Sequence, residues 1–187
     1  MGFEMTKSLI LASISGVAIW VASPVLSYAE ATCVISKAKK HAVNDVLCGQ
    51  SAPEPEYHFS GPNCLTNSVT KRFEDTAIQI VVYRICGDQQ FSDRLKEANF
   101  QTNKLFKLLS ACTSERPDFN KILEDAITKA AQHAGSMTCP PEMRAMADSR
   151  RAYFEQTITL ANDPKTVPAT LEKLGITVDS SGNIRDK

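Results

Sequence analysis

The sequence has no excess of charge of either sign, because 21 lysines and arginines balance 21 aspartates and glutamates. A balanced chain has no electrostatic preference for nucleic acid or for an anionic membrane surface, so neither is expected as a partner. No internal repeat and no low-complexity tract divides the chain. Its length predicts one domain with a real hydrophobic core.

Motifs that mark common enzyme classes are also missing. There is no Gly-x-Ser-x-Gly turn for a nucleophilic serine and no glycine-rich loop to cradle a phosphate. Neighbouring carboxylates such as Glu124 and Asp125 would point apart on a helix, so they cannot act together on one bond. His41 and Asp45 form a local histidine–carboxylate pair, which a surface hydrogen bond explains. No catalytic residue is assigned.

Metal-binding patterns are absent from the sequence as well. It contains no Cys-x-x-Cys pair, and His41, His58 and His133 do not have the spacing of a zinc finger or ribbon. The haem attachment pattern Cys-x-x-Cys-His is also missing. The sequence therefore predicts neither a metal site nor a cofactor.

The N-terminal segment is typical of export. Lys7 precedes an uncharged stretch whose core, Leu9–Ala22, is apolar and as long as the core of a signal peptide. Small residues permit cleavage after Ala29 or Ala31, although an uncharged run of this length can also remain as a membrane anchor. We expect cleavage. Residues 1–29 are then a signal peptide, and the mature protein is periplasmic or secreted, without membrane contact.

Six cysteines follow the cleavage region, and an even number in an exported chain predicts three disulfides. They are Cys33, Cys48, Cys64, Cys86, Cys112 and Cys139. We predict that Cys48 pairs with Cys64, and that Cys86 pairs with either Cys33 or Cys139. One continuous helix from Cys33 to Cys48 would hold their Cα atoms about 22 Å apart, whereas a disulfide needs Cα atoms within about 7 Å of each other. The remaining two cysteines can pair only if one of the predicted helices bends or is shorter than predicted, or if that segment is a strand instead.

Apolar residues recur at intervals of three and four along most of the mature chain, which predicts helices. The strongest such segment is Asp88–Cys112, where Gly87 breaks the preceding element and Asp88 is the expected N-cap. Further helices are predicted over residues 33–48, 64–86, 114–135 and from Pro141 to about Ala161. The predicted fold class is all-α: a disulfide-stabilised antiparallel helical bundle of about five helices, spanning residues 30–163.

Two segments leave alternatives open. Residues 76–86 contain enough β-branched side chains for a strand. Helix is favoured there, because a lone strand needs a partner and no strong candidate precedes the C terminus. In residues 164–187 the sequence predicts one short helix, Val167–Leu174, and a polar tail that we expect to be loosely held. Pairing of Ile176–Val178 as a strand is the alternative for this tail.

The loop Gly49–Asn63 is the longest in the chain, and long loops are often functional. Tyr57, His58 and Phe59 lie near its middle, where nearby prolines and the predicted Cys48–Cys64 bridge would restrict them. Such aromatics either fold over the end of the core or contact a partner. Our hypothesis is that these three residues bind another protein, with Tyr57 and Phe59 as anchors.

The sequence thus favours a secreted or periplasmic, non-enzymatic protein-binding module, such as an envelope-complex subunit or an inhibitor. Two alternatives remain open: a carrier that encloses a small apolar ligand within the bundle, and a hydrolase of unrecognised type. An apolar cavity would favour the carrier. An exposed aromatic patch over a filled core would favour protein binding, and histidines converging with carboxylates in a cleft would favour the enzyme.

Overall fold

The computed structural model describes residues 31–50, 52 and 55–187, so the expected signal peptide, residues 1–29, lies outside the described residues. Helices form most of the described chain, and the predicted helical bundle is confirmed. They are α1 (Lys37–Leu47), α2 (Cys64–Ile85), α3 (Gln89–Ser110), α4 (Phe119–Ala134), α5 (Pro141–Asn162) and α6 (Thr166–Lys173). Three short strands are β1 (Cys33–Val34), β2 (Ile176–Val178) and β3 (Ile184–Asp186).

The centre of the bundle is α2, which packs against α3 along one side and α4 along another. It buries apolar side chains at helical intervals over its whole length, including Phe73, Ala77 and Ile80. The ambiguous residues 76–86 are therefore helical up to Ile85, because burial of these side chains outweighs their preference for strands. Among the described helices, none is long and apolar enough to cross a membrane.

Asp88 is the N-cap of α3, as predicted. Its carboxylate accepts a hydrogen bond from the backbone N–H of Phe91 at 3.1 Å. The same carboxylate accepts a second bond from Arg151 on α5 at 2.6 Å, and this bond lowers the pKa of Asp88 below its usual value. One side chain therefore caps α3 and joins it to α5.

Tyr83 on α2 makes a second contact with α5. Its hydroxyl donates a hydrogen bond to the carbonyl oxygen of Ala147 at 2.7 Å. Its ring makes edge contacts with Phe91 at 4.4 Å and with Phe154 at 6.3 Å between ring centres. Burial raises the pKa of Tyr83, as expected for a hydroxyl that is removed from water.

The first helix is shorter than predicted, since α1 begins at Lys37 and Cys33 lies in β1. No continuous helix therefore joins Cys33 to Cys48. The bridges are Cys33–Cys112, Cys48–Cys64 and Cys86–Cys139. The predicted Cys48–Cys64 pair is present, and Cys139 is the partner of Cys86. Three disulfides indicate an oxidising compartment.

The C-terminal tail adopts the strand pairing that was the alternative expectation. β3 is the central strand: β1 pairs with it in parallel and β2 pairs with it antiparallel. Ile176 and Ile184 are buried and join the hydrophobic core of the helices. In the turn between β2 and β3, a bond from Arg185 and backbone N–H groups lower the pKa of Asp179 to about 2.

Candidate functional site

The loop that follows α1 folds back onto its own beginning. Gly49 has a φ of +78°, and a Cβ there would lie 2.0 Å from the carbonyl oxygen of Tyr57, so only glycine fits. The backbone N–H of Phe59 donates to the carbonyl oxygen of Cys48 at 3.0 Å. These contacts hold the aromatic part of the loop beside the Cys48–Cys64 bridge.

The three loop residues singled out from the sequence have different surroundings. Tyr57 is half buried, and its hydroxyl donates to Asp75 on α2 at 2.7 Å. His58 is exposed, with Nε2 lying 2.8 Å from the carbonyl oxygen of Ala52. Phe59 is half buried, and its carbonyl oxygen accepts a bond from Gln50. The loop therefore folds over the end of the bundle and anchors Tyr57 to α2.

Tyr57 lines an open groove of about 670 Å³, whose other walls come from α2, α3 and α5. We call it the aromatic groove, because five aromatic side chains line it: Tyr57, Phe73, Phe106, Tyr153 and Phe154. Neither His58 nor Phe59 is among its lining residues. The structure thus brings one of the three predicted binding residues into the groove.

The groove also has polar and charged walls. The guanidinium of Arg72 lies 5.8 Å from the ring centre of Phe106, at the distance of a cation–π contact. Arg150 and Asp75 line it as well. Gln79, only 5% exposed, is another lining residue, and its Oε1 has no hydrogen-bond partner among the described atoms. Such walls suit an apolar or aromatic group that carries hydrogen-bonding atoms.

The rim and the floor of the groove differ in exposure. Phe73 is 2% exposed and belongs to the hydrophobic core, whereas Tyr153 is 68% exposed. The ring of Tyr153 makes an edge contact with Phe154, at 5.2 Å between ring centres. A large aromatic ring with this exposure is available to pack against another molecule.

No histidine lines the groove. His41 is on α1 with its Nε2 3.7 Å from Asp45, His58 is in the loop, and His133 is in the last turn of α4. Among the described residues, no group of three or more histidine, cysteine or acidic side chains could hold a metal ion. The groove therefore offers contact surface, with no acid–base pair involving a histidine.

Sequence reasoning missed the groove walls from α2, α3 and α5. A signal was present for one of them: Tyr153 and Phe154 are consecutive, and neighbouring residues on a helix point about 100° apart. The two rings therefore point in different directions: in the structure Tyr153 is exposed at the rim of the groove and Phe154 is half buried. Nothing comparable identifies Arg72, Gln79 or Phe106, because their convergence depends on how α2 and α3 cross.

Comparisons with protein-family models, with curated proteins and with solved structures found no match to this chain. A functional assignment therefore depends on the geometry of the aromatic groove.

Proposed function

We propose that this protein is an exported, non-enzymatic module that binds another protein through the aromatic groove. The observation that carries the proposal is the set of five aromatic side chains around one open groove, with Tyr153 68% exposed at its rim. Tyrosine, tryptophan and arginine side chains are enriched among the residues that dominate the binding energy of protein interfaces. Aromatic rings suit this role because they bury a large area with few rotatable bonds. The partner is expected to insert an apolar or aromatic side chain between Tyr57 and Tyr153.

The filled core supports protein binding over the enclosed carrier. Buried residues from α1, α2, α3, α4 and α5 form one continuous cluster, in which Leu65, Ile80, Leu95 and Leu123 are 0% exposed. The aromatic groove is instead open at the surface, where a polypeptide segment can enter from the side. Protein partners commonly use such grooves for one or a few anchoring side chains.

A small apolar ligand remains the second candidate. The groove volume of about 670 Å³ falls within the range of small-molecule sites, about 300–1,000 Å³. Its rings would cover one face of such a ligand, and the unpartnered Oε1 of Gln79 would accept a bond if the side chain turned toward it. The open side makes this groove less enclosing than most small-molecule sites.

Export is part of the proposal and is supported by two independent features. The apolar N-terminal run has the length and flanks of a signal peptide. All six cysteines of the chain form disulfides, which persist in oxidising compartments such as the periplasm or the extracellular space. We therefore place the mature protein in one of these two compartments.

Affinity capture from the native exported fraction tests the proposal. The mature protein is the bait, and the captured protein is then titrated against bait variants. Thr76→Arg would fill the groove from α2, and Tyr57→Ala would remove one wall. Each is expected to weaken binding at least tenfold, about 1.4 kcal/mol. Phe59→Ala, in the same loop but outside the groove, is the matched control and should bind within about twofold of wild type.

Three results would overturn the proposal. Groove variants that bind the same protein as tightly as wild type, while remaining folded, would exclude the groove as the interface. Equal losses of affinity in Phe59→Ala and Tyr57→Ala would show that the whole loop binds the partner, which is the hypothesis drawn from the sequence. A small molecule released by denaturing the purified protein, and absent from Thr76→Arg, would support the carrier instead.

A further inference from the structure

A polar stripe on α2 forms one wall of the aromatic groove. Arg72, Asp75, Thr76 and Gln79 line the groove from this helix. Their spacing of three and four residues places them on one face of α2. Gln79 is 5% exposed, whereas the other three are half buried. The most buried part of this wall therefore carries a primary amide.

The amide of Gln79 has no hydrogen-bond partner among the described residues. Its Oε1 is buried and accepts no bond, and its Nε2 donates none. A buried polar group without a partner costs free energy, because it has lost its bonds to water. No bond holds the amide in its present orientation, and the last torsion of a glutamine side chain is broad, so either polar atom can turn toward the groove. The amide is thus available to a group that enters.

The aromatic walls determine which group can reach this amide. Phe73, Phe106 and Phe154 are buried or half-buried rings of the groove, and rings pack well against another ring. A phenylalanine or leucine anchor would exclude water from the amide without replacing its hydrogen bonds. A tyrosine hydroxyl both donates and accepts, so it pairs with the amide in either orientation, whereas the N–H of a tryptophan only donates. Tyrosine is therefore the anchor that best fits these walls.

The charged side chains around the groove are unequally paired. Near the loop, Asp75 forms an ion pair with Lys71 at 3.0 Å. Asp75, and to a lesser degree Glu56, raise the pKa of Lys71, so both carboxylates lie near this cation. On the α5 side, Arg150 is exposed and makes no ion pair with any described residue. A carboxylate beside the anchor would complement this charge.

We propose that the groove recognises a tyrosine of the partner protein that has an acidic residue beside it. The ring packs among the aromatic side chains, its hydroxyl bonds to the amide of Gln79, and the neighbouring carboxylate pairs with Arg150. This inference rests on the proposed function, because it names the side chain that the partner inserts. It predicts a preference for tyrosine over phenylalanine, since a site with a buried polar group rejects an analogue that leaves this group unpaired.

Selection from a random peptide library displayed on phage tests the inference with no partner identified beforehand. The mature protein is the bait, and each recovered peptide is then compared for binding to wild type and to Thr76→Arg. Peptides that need an open groove are expected to share a tyrosine with an aspartate or glutamate beside it. A shared phenylalanine or leucine in its place would overturn the inference and leave the groove as the interface. If every recovered peptide binds Thr76→Arg as tightly as wild type, the proposed function fails as well.

Gln79→Leu tests the role of the amide. A selected peptide and its copy with phenylalanine in place of tyrosine are titrated against each protein. The wild type should prefer tyrosine by about tenfold or more, whereas Gln79→Leu should bind the two peptides within about twofold of each other, because no unpaired amide remains. Gln101→Leu makes the same change on α3 outside the groove and should keep the wild-type preference. An undiminished preference in folded Gln79→Leu would overturn the inference.

Arg150→Gln tests the acidic neighbour independently of the amide. This change should weaken binding of the selected peptide about threefold, and so should glutamine in place of the acidic residue of the peptide. Combining the two changes should weaken binding no more than either alone, because both remove the same ion pair. Losses that add in the combination would show that the acidic residue does not pair with Arg150.

Discussion

Gly49 determines where the aromatic loop lies. Its backbone is in the left-handed region, and the carbonyl oxygen of Tyr57 occupies the space that a Cβ would need. Tyr57 in turn reaches Asp75 on α2. Through these contacts Gly49 determines the position of Tyr57, which forms one wall of the groove.

Gly49→Ala should therefore destabilise the protein more than a glycine substitution elsewhere. Gly61 is the matched control, since its φ is +86° and nothing lies within 4 Å of its Cβ position. Gly61→Ala carries only the left-handed backbone strain, about 1–2 kcal/mol. Gly49→Ala adds a clash with backbone and should cost about 3 kcal/mol or more in unfolding free energy. Urea denaturation measures both, and equal losses would contradict the close approach.

At the scale of elements, α2 has a cap from a distant part of the chain. The side chain of Asn63, at the N-cap position, makes no capping bond. Instead the carboxylate of Glu115 accepts from the backbone N–H groups of Leu65 and Thr66, at 2.9 and 2.8 Å. It also accepts from the hydroxyl of Thr66. A negative charge at this position stabilises the helix by satisfying free N–H groups and opposing the helix dipole.

Glu115→Ala should lower the unfolding free energy by about 1–2 kcal/mol, the usual cost of losing a helix cap. Glu97→Ala is a suitable control, because Glu97 is exposed on α3 and its carboxylate accepts a bond from Gln101 on the same helix. That change should stay within about 0.5 kcal/mol. Thermal or urea unfolding of the two variants measures the difference. Similar stabilities would show that Glu115 does not stabilise α2.

The elements that the sequence predicted well are those specified by nearby residues. Apolar spacing and the Asp88 cap identified α3, and Gly135 ends α4 as expected. Local signals were misleading where the structure is decided by distant contacts. Residues 114–117 were expected to open the helix after α3, but α4 begins at Phe119 with Asp118 as its cap. The capping of α2 by Glu115 depends on how α2 and α3 pack, which apolar spacing does not reveal.

At the scale of the whole molecule, the same limit explains why the groove was not predicted. Its walls come from the loop and three helices, and Tyr57 is the one lining residue that the sequence predicted as a binding residue. The small sheet is another long-range feature, since β1 and β3 are separated by almost the entire described chain. A two-residue strand such as β1 is too short for a periodic pattern to identify.

The sheet also bears on how the disulfides form. In β1, Cys33 pairs with Ile184 of the central strand β3, and Cys33 is bonded to Cys112 at the end of α3. The C-terminal strand therefore helps to position the first cysteine beside its partner. The other two bridges join the ends of helices that pack without β3. Formation of the Cys33–Cys112 bridge should thus depend on the C terminus, whereas the other two should not.

Deleting residues 184–187 tests this dependence. The truncated protein, refolded under oxidising conditions and mapped without reduction, should keep Cys48–Cys64 and Cys86–Cys139 but lose much of Cys33–Cys112. Arg185→Ala is the control, because strand pairing uses the backbone, and this exposed side chain donates its hydrogen bond to Asp179 in the turn. It should leave all three bridges intact. If the truncated protein forms Cys33–Cys112 fully, α1 and α3 alone position these cysteines, and the sheet follows from the bridge rather than guiding it.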